Sequence, residues 1–434
     1  MSIRADLFKA TFLALLIKLT SAQLNYLMLV VLAQAMDIEG YGTFAFGFSA
    51  ALILGQIALM GQNQLVLRVL PAITGPESAV QRSAAIAFGA RNVVVAGIVA
   101  GLVLVVFGLT KAGNTSIVAA AFLVLPIAFA ELQSSVLRTQ NRIVSALAPR
   151  DILWRLTVIA VAGLVLLNIL PKLSPVWAFL LCAGSLIFWL VVQASLAPVT
   201  RYQKGFKESS VAQRRGWWAM SQSFWLASVV VVSGPNLAVV VIGLIMNPEQ
   251  TAPFFAALKT AQLMTLLLLA ANLAATPVIS KAYAEGAHEK LRSICRLVSG
   301  AAGGFAALGL VVFWAFGDVV LGMFGAGYAV AKPELLVMSL GFAFSAASGL
   351  NGILMQMAGQ EKAFARLSLG WNFVGLAALI PMVSAYGTFG GACAVALTTI
   401  AWNIQAWILC RCRIGTDPSL LGFLLPDPHL RMKV

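Results

Sequence analysis

Two lysines carry charge into stretches of sequence that are otherwise apolar. Lys259 lies about nine residues, or roughly 14 Å of helical rise, inside its apolar run, and Lys18 lies roughly 10 Å inside the first run. A charge at such depth in a membrane costs about 2.5–3.5 kcal/mol, so each one needs a reason. Ammonium and guanidinium groups bind phosphate, and amides are the hydrogen-bonding groups that sugars use. The residues that we predict to bind an anionic substrate are Lys259, Lys18, Arg68, Asn25, Ser49, Gln56, Asn63 and Gln262.

Carboxylates are scarce in the apolar runs. We place Glu131 alone inside a span, and Arg138 lies two turns further on, so an interfacial ion pair explains it. Cations without a central Asp or Glu suit an anionic head group better than a cationic drug. Arg91 and Arg155 lie near helix starts, with Asp151 four residues before Arg155 as a helical partner. Whether these two arginines snorkel to the interface or face a cavity stays open.

Polar residues recur at helical spacing on two of the runs. Ser49, Gln56 and Asn63 are each seven residues apart, as are Lys18 and Asn25, and this spacing predicts one polar stripe on each helix. Two interpretations fit such a stripe. It lines a hydrated cavity, or it holds neighbouring helices together by hydrogen bonds.

The composition is that of a membrane protein. The 434 residues are 60% hydrophobic and 10% charged, with a mean hydropathy of +0.92, whereas soluble domains are about 45–50% apolar and about 25% charged. Many runs reach the ~20 residues that a helix needs to cross a bilayer, which predicts an α-helical bundle. We predict twelve spans, at roughly 11–34, 42–60, 92–110, 115–136, 152–170, 174–197, 217–246, 250–275, 293–316, 333–356, 367–386 and 388–409.

The basic residues indicate the orientation of the spans. The formal net charge is +14, but Lys and Arg concentrate in one set of connections, and the opposite set holds only Lys111, Lys172 and Lys332. By the positive-inside rule, both termini are cytoplasmic. The excess charge therefore predicts contact with anionic membrane lipids and no nucleic acid partner.

No residue cluster indicates catalysis or a cofactor. Cys410-x-Cys412 lacks the partners and spacing of a zinc site, and no G-x-x-x-x-G-K-[ST] phosphate loop occurs. Both histidines, His288 and His429, fall on the predicted cytoplasmic side. We therefore predict no metal, no disulfide, no cofactor and no enzymatic activity.

A weak internal repeat divides the sequence into halves. MDIEGYGTFAFGF (36–48) is similar to MNPEQTAPFFAAL (246–258), 210 positions later, and this shift places Lys259 at the position of Ser49. Both copies have the same sidedness, as in the parallel repeats of transporters, so equivalent faces of the second and eighth helices would meet at a central cavity. Further matches join Pro71-Ala-Ile-Thr to Pro277-Val-Ile-Ser, and Gln140 to Gln360.

The repeat predicts two pseudo-symmetric six-helix bundles around that cavity. The longest polar, basic stretch lies near the middle of the chain and is the natural divider. The predicted parts are an N-terminal lobe (1–205), a cytoplasmic linker (206–216), a C-terminal lobe (217–409) and a cytoplasmic tail (410–434).

Short motifs flank the predicted second and eighth helices. Asp37-Ile-Glu39-Gly-Tyr-Gly42 and Gln64-Leu-Val-Leu-Arg68 bracket the second helix, and Asn247-Pro-Glu249 with Phe254-x-Ala256-x-x-Lys259 opens the eighth. These motifs resemble the "G-P-E-x-F/Y-G", "alvR" and "G-x-Y-x-x-A-x-K" motifs of the polysaccharide transporter and Wzx-type oligosaccharide flippase families. Their superfamily also contains multidrug MATE exporters. The resemblance covers nearly the whole chain, although Met36-Asp37 and Ala252 replace glycines of the edge motif.

The resemblance implies a function and a cargo. It implies a flippase that moves polyprenyl-pyrophosphate-linked oligosaccharides to the outer leaflet of the bacterial inner membrane for surface polysaccharide assembly. The pyrophosphate would bind Lys259, Lys18 and Arg68. Further partners would be membrane lipids and polysaccharide polymerase or export machinery.

Other functions stay open at this point. A cation-coupled, MATE-like multidrug exporter would need a buried functional carboxylate. A polymerase or ligase of sugar assembly would need a large outer active-site loop or clustered acid and base residues. The residues do not identify the glycan, the coupling ion or the oligomeric state.

Overall fold

The fold is helical throughout the part of the chain that can be described. The computed structural model describes residues 3–73, 78–110, 114–140, 142–196 and 210–423, and these contain helices and short connections but no strand. Helices are expected, because lipid offers the backbone amides no other hydrogen-bond partner. The prediction of an all-α, multi-pass membrane protein is confirmed.

Nine α-helices precede residue 246 in the described ranges. Helix α5 packs against α2, α3, α4 and α8, and its neighbours enclose a fully buried aromatic group in which the Phe44 ring lies 5.3 Å from Phe48 and 5.0 Å from Phe179. Aromatic burial of this kind dominates core energetics. The helices are α1 (Ile3–Ala35), α2 (Ile38–Ala58), α3 (Gln62–Ala72), α4 (Ser78–Thr110), α5 (Thr115–Thr139), α6 (Ile143–Ala148), α7 (Trp154–Leu166), α8 (Pro175–Leu196) and α9 (Val211–Ile245).

Six further α-helices follow, and α13 packs against three of them, α10, α12 and α15. A 3₁₀ turn, Leu263–Thr265, interrupts the eighth predicted span between α10 and α11. The helices are α10 (Pro248–Gln262), α11 (Leu266–Ala284), α12 (His288–Gly322), α13 (Lys332–Ala347), α14 (Asn351–Met357) and α15 (Glu361–Leu409).

All twelve predicted spans fall on helices. Nine helical segments of the described ranges are long and apolar enough to cross a membrane. The fifth predicted span begins in a π-helical turn, Pro149–Leu153, which separates α6 from α7, and continues through α7, and the seventh lies in α9. The last two predicted spans are the halves of α15, which is interrupted at Gly387.

Helix α15 is a hairpin of two antiparallel halves. Gly387 has φ +60°, a conformation that favours glycine. The Trp371 indole donates a hydrogen bond to Gln405 Oε1 (2.6 Å), and a Cβ at Gly375 would lie 2.8 Å from a methyl group of Thr398. Residue numbers rise along the first half while those of their partners fall along the second, so the two halves are antiparallel.

The internal repeat is visible in the starts of α2 and α10. Asp37 and Asn247 have nearly the same extended backbone, with φ −76° and ψ 165° against φ −77° and ψ 155°. The Asp37 carboxylate caps α2 by accepting the Gly40 amide (3.0 Å), whereas α10 has Pro248 at its first position instead. The two copies therefore start their helices alike with different chemistry.

The prediction that Ser49, Gln56 and Asn63 form one polar stripe on a single helix is wrong for Asn63. Met60 (φ 47°) and Gly61 (φ 72°) are left-handed and end α2, so Asn63 belongs to α3. A Cβ at Gly61 would overlap the Ser221 carbonyl oxygen, and this close approach requires glycine.

The described residues form two compact units. Leu16–Gly243 is the N-terminal unit, and the residues from Leu244 onward, with those before Leu16, are the C-terminal unit. Most of α9 thus groups with the N-terminal unit, where the Trp225 indole donates to the Ile57 carbonyl (2.9 Å), although the sequence assigns it to the second lobe. Residues 206–209 of the predicted linker lie outside the described ranges, and Val211 onward is helical.

The first part of the predicted cytoplasmic tail packs within the C-terminal unit. The Asp417 carboxylate is buried and accepts hydrogen bonds from the Trp407 indole (2.9 Å) and the Ser419 hydroxyl (2.7 Å). The Arg296 guanidinium donates to the Gly422 carbonyl (2.8 Å). Residues 410–423 are therefore part of the folded unit, and residues 424–434 lie outside the described ranges.

Candidate functional site

Lys259 is more exposed than its neighbours in α10. The side chains from Thr251 to Ala261 are buried except that of Lys259, which is half-buried. Its ammonium lies 5.2 Å from the centre of the fully buried Phe255 ring. A cation over an aromatic face gains about 0.5–1 kcal/mol at exposed sites and more when desolvated. Helix α10 therefore keeps one half-buried cation, Lys259, within a stretch (251–261) that is otherwise buried.

The end of α10 adds to the polarity at Lys259. The helix ends at Gln262, which is half-buried and one turn away from Lys259, and the 3₁₀ turn follows. The Thr265 hydroxyl donates to the Gln262 carbonyl (2.8 Å). Carbonyl dipoles at a helix C-terminus attract a cation, which is a structural reason for a lysine here.

The N-terminal unit holds the remaining predicted binding residues in varied surroundings. Ser49 is fully buried (0% exposed), Gln56 and Asn25 are half-buried, and Asn63 is buried in α3. Arg68 is exposed, with its guanidinium 6.0 Å from the Phe224 ring. The predicted substrate-binding roles of these residues stay predictions.

Lys18 belongs to a dense ionic group that the sequence analysis does not predict. Its ammonium lies 2.6 Å from the Asp151 carboxylate, and its side chain is 33% exposed. Arg150 also contacts Asp151 (3.7 Å) and pairs with Glu131. The predicted pairing of Glu131 with Arg138 is present at 3.7 Å. We call Lys18, Glu131, Arg138, Arg150, Asp151 and Arg155 the N-terminal ionic cluster.

Arg155 is held differently from the prediction. Its guanidinium donates to the backbone carbonyl of Asp151 and to the Ser21 hydroxyl (3.0 Å), while the Asp151 carboxylate pairs with Lys18 and Arg150. The reason is the π-helical turn, which points the Asp151 side chain towards α1. Lys18 and Ser21 of α1 therefore bind the π-helical turn and α7 through their side chains, within the N-terminal unit.

The charges of the N-terminal ionic cluster do not cancel. By its definition it holds four cations and two carboxylates. Pairing offsets part of the cost of burying charge, and the surplus remains positive. Such a group can hold an anion as well as hold the helices together.

Glu334 is a buried carboxylate that the sequence analysis missed, although the tenth predicted span contains it. It is 8% exposed, and the Thr388 hydroxyl donates to its Oε1 (2.6 Å). Its Oε2 is buried and makes no hydrogen bond within the described residues. The motif Lys332-Pro-Glu334 gives it the appearance of an ordinary helix start, and only the packing of α15 on α13 buries it.

Comparison with known proteins identifies the fold. No protein-family model matches the sequence, and no curated protein matches it. An inward-facing multidrug resistance MATE family transporter of the MOP superfamily is similar in structure, with a TM-score of 0.69, 14% identity, and coverage of 91% of this chain and 94% of that chain.

Two further solved structures agree with this. The Vibrio cholerae MATE transporter VcmN has a TM-score of 0.57 at 12% identity, covering 93% of this chain and 95% of its own. A MOP superfamily transporter from Pyrococcus furiosus, described as having a binding pocket of reverse polarity that suggests a different function, has a TM-score of 0.56 at 13% identity, with coverage of 94% and 95%. The chain has the MATE fold.

On this MATE fold, the two units carry different polar groups. The N-terminal unit pairs most of its membrane-embedded charge in the ionic cluster. The C-terminal unit presents Lys259 within the otherwise buried stretch 251–261 of α10 and holds Glu334 against Thr388. Fold alone does not decide which of these groups acts on a substrate.

Proposed function

We propose that this chain is a flippase that moves polyprenyl-pyrophosphate-linked oligosaccharide units from the inner to the outer leaflet of the bacterial inner membrane. It would work by alternating access and supply units for surface polysaccharide assembly. The MATE fold supports a membrane transporter. The motifs that resemble oligosaccharide flippases support the cargo.

The half-buried Lys259 carries this proposal. A cation that an apolar helix keeps accessible, at a cost of about 2.5–3.5 kcal/mol, suits a doubly ionised pyrophosphate. The surplus positive charge of the N-terminal ionic cluster points to the same anionic class. The Pyrococcus furiosus transporter of this fold, with its reversed pocket polarity, gives a precedent for a changed function.

Translocation of the cargo across the membrane of reconstituted vesicles tests the proposal. The full chain is reconstituted into proteoliposomes that contain a defined polyprenyl-pyrophosphate oligosaccharide, and its appearance in the outer leaflet is followed with a membrane-impermeant lectin. We expect translocation above that of protein-free vesicles. Transport of cationic dyes without any movement of the lipid-linked sugar would contradict the proposal.

Glu334 supports one second candidate, a cation-coupled multidrug exporter. Its buried carboxylate with one unbonded oxygen is the kind of group that binds a proton or cation. On that alternative, Glu334→Gln would abolish dye efflux driven by an ion gradient. On the flippase proposal, the native chain shows no dye efflux for the substitution to change.

A further inference from the structure

The hairpin of α15 contains a groove that the proposed transport does not use. The groove has a volume of about 480 Å³, within the usual range of ligand pockets of about 300–1,000 Å³. Residues from both sides of the hairpin line it: Arg366, Gly370 and Val374 from the first half, Gln405 from the second, and Arg413 from the π-helical turn Cys410–Ile414 that follows α15. It lies wholly within the C-terminal unit.

The groove is open at one end and closed at the other. A Cβ built at Gly370 meets nothing within 4 Å, so the space above this residue is empty. One turn further on, Gly375 is in close contact with Thr398, where the two halves meet. Between these levels the Trp371 indole donates to Gln405 (2.6 Å) across the hairpin. Towards the ends that carry the arginines the halves also meet at Trp402, which contacts the Phe364 ring (6.2 Å between ring centres) and the Ser368 hydroxyl (3.3 Å), so the groove is a local opening beside Gly370.

The open end is cationic and the interior is largely apolar. Arg366 and Arg413 are both exposed and line the groove, and none of the described residues that line it is acidic. Both arginines belong to connections that the positive-inside rule assigns to the cytoplasm. Val374 is exposed on the first half, as is its neighbour Phe373 (70% exposed), which marks a surface that faces lipid.

We infer that this groove binds one anionic phospholipid of the cytoplasmic leaflet. Its phosphate lies between Arg366 and Arg413, and an acyl chain lies over Gly370 beside Trp371. Basic pockets between membrane helices on the cytoplasmic side bind anionic head groups, and a tryptophan at this depth is typical of the interface. Guanidinium groups bind phosphate through parallel hydrogen bonds. This lipid is distinct from the proposed cargo.

Native mass spectrometry of the full chain with added phosphatidylglycerol or phosphatidylcholine tests the head-group site. We expect phosphatidylglycerol to be retained more tightly, and the double variant Arg366→Gln/Arg413→Gln to weaken it by about 30-fold. The control Lys362→Gln removes a neighbouring cation outside the groove, and we expect a loss below about fivefold. Equal retention of the two lipids, or unchanged affinity in the double variant, would overturn the inference.

The site proposed for the acyl chain of the lipid is tested by a substitution that fills the groove. Gly370→Leu places a side chain in the open space, where a Cβ meets nothing within 4 Å, and we expect at least a tenfold loss of phosphatidylglycerol affinity, about 1.4 kcal/mol. Gly304→Leu is the matched control, because Gly304 is an exposed helical glycine with nothing within 4 Å, and it should leave binding unchanged. Unchanged retention of phosphatidylglycerol by Gly370→Leu would refute the inference. Displacement of the lipid by inorganic phosphate would also refute it, as would a spectrum that shows dimers of the chain with no lipid bound. Because the readout is binding, it stands apart from transport of the sugar cargo.

Discussion

Ser49 in α2 and Lys259 in α10 occupy equivalent positions of the internal repeat, yet the structure treats them in opposite ways. Ser49 is fully buried, whereas Lys259 is half-buried within a stretch of α10, residues 251–261, that is otherwise buried. In the N-terminal unit, the charge lies instead on α1, α5, α7 and the π-helical turn, and it is paired in the ionic cluster. A repeated backbone can therefore keep its helix starts while it moves its charge from one helix to another.

The largest expected loss of stability comes from breaking the N-terminal ionic cluster. Asp151→Ala leaves Lys18 and Arg150 without their shared buried carboxylate, so we expect a loss of about 3–5 kcal/mol in the free energy of unfolding. Chemical denaturation of the purified chain in micelles measures it. Asp318→Ala is the control, because Asp318 pairs with Lys332 at an exposed site, where ion pairs contribute less than about 1 kcal/mol. Equal losses would show that the N-terminal ionic cluster is not structural.

Exchanging the two repeat positions tests the comparison itself. Ser49→Lys buries a charge inside α2 and should cost about 2.5–3.5 kcal/mol. Lys259→Ser removes a half-buried charge together with its contact with Phe255, and it should cost no more than about 1 kcal/mol. Thermal melts of both variants give the difference. A well-tolerated lysine at position 49 would mean that the two faces are equivalent after all.

The smallest effect concerns the break between α2 and α3. Gly61→Ala places a Cβ on a left-handed residue against Ser221, so we expect a loss of at least about 1–2 kcal/mol. Gly370→Ala, on a helix with open space, should instead stabilise the chain by up to about 1 kcal/mol. The same melts distinguish them. If both substitutions stabilise, α9 does not lie against Gly61.

The sequence predicts the local features of this molecule well. The motifs that begin at Asp37 and Asn247 lie at the starts of α2 and α10, and the twelve spans follow from hydropathy. The left-handed Met60 carries no such signal, since a non-glycine residue at positive φ depends on its surroundings.

Long-range pairs are the part that one sequence does not reveal. Lys18 and Asp151 are 133 positions apart, and the π-helical turn that brings them together has no evident sequence signature. Glu334 becomes a buried carboxylate only through Thr388, 54 positions away. Residues of the candidate site were therefore recognisable by type and depth, and their partners were not.

The most direct test of the account is translocation of a polyprenyl-pyrophosphate oligosaccharide by Lys259→Ala in proteoliposomes. A charge-assisted contact contributes about 1.5–3 kcal/mol, so we expect transport to fall by about 10- to 100-fold, with partial recovery in Lys259→Arg. Lys281→Ala, which removes an exposed lysine paired with Glu285, should transport normally. Native transport rates in folded Lys259→Ala would contradict the central claim that this lysine binds the anionic cargo.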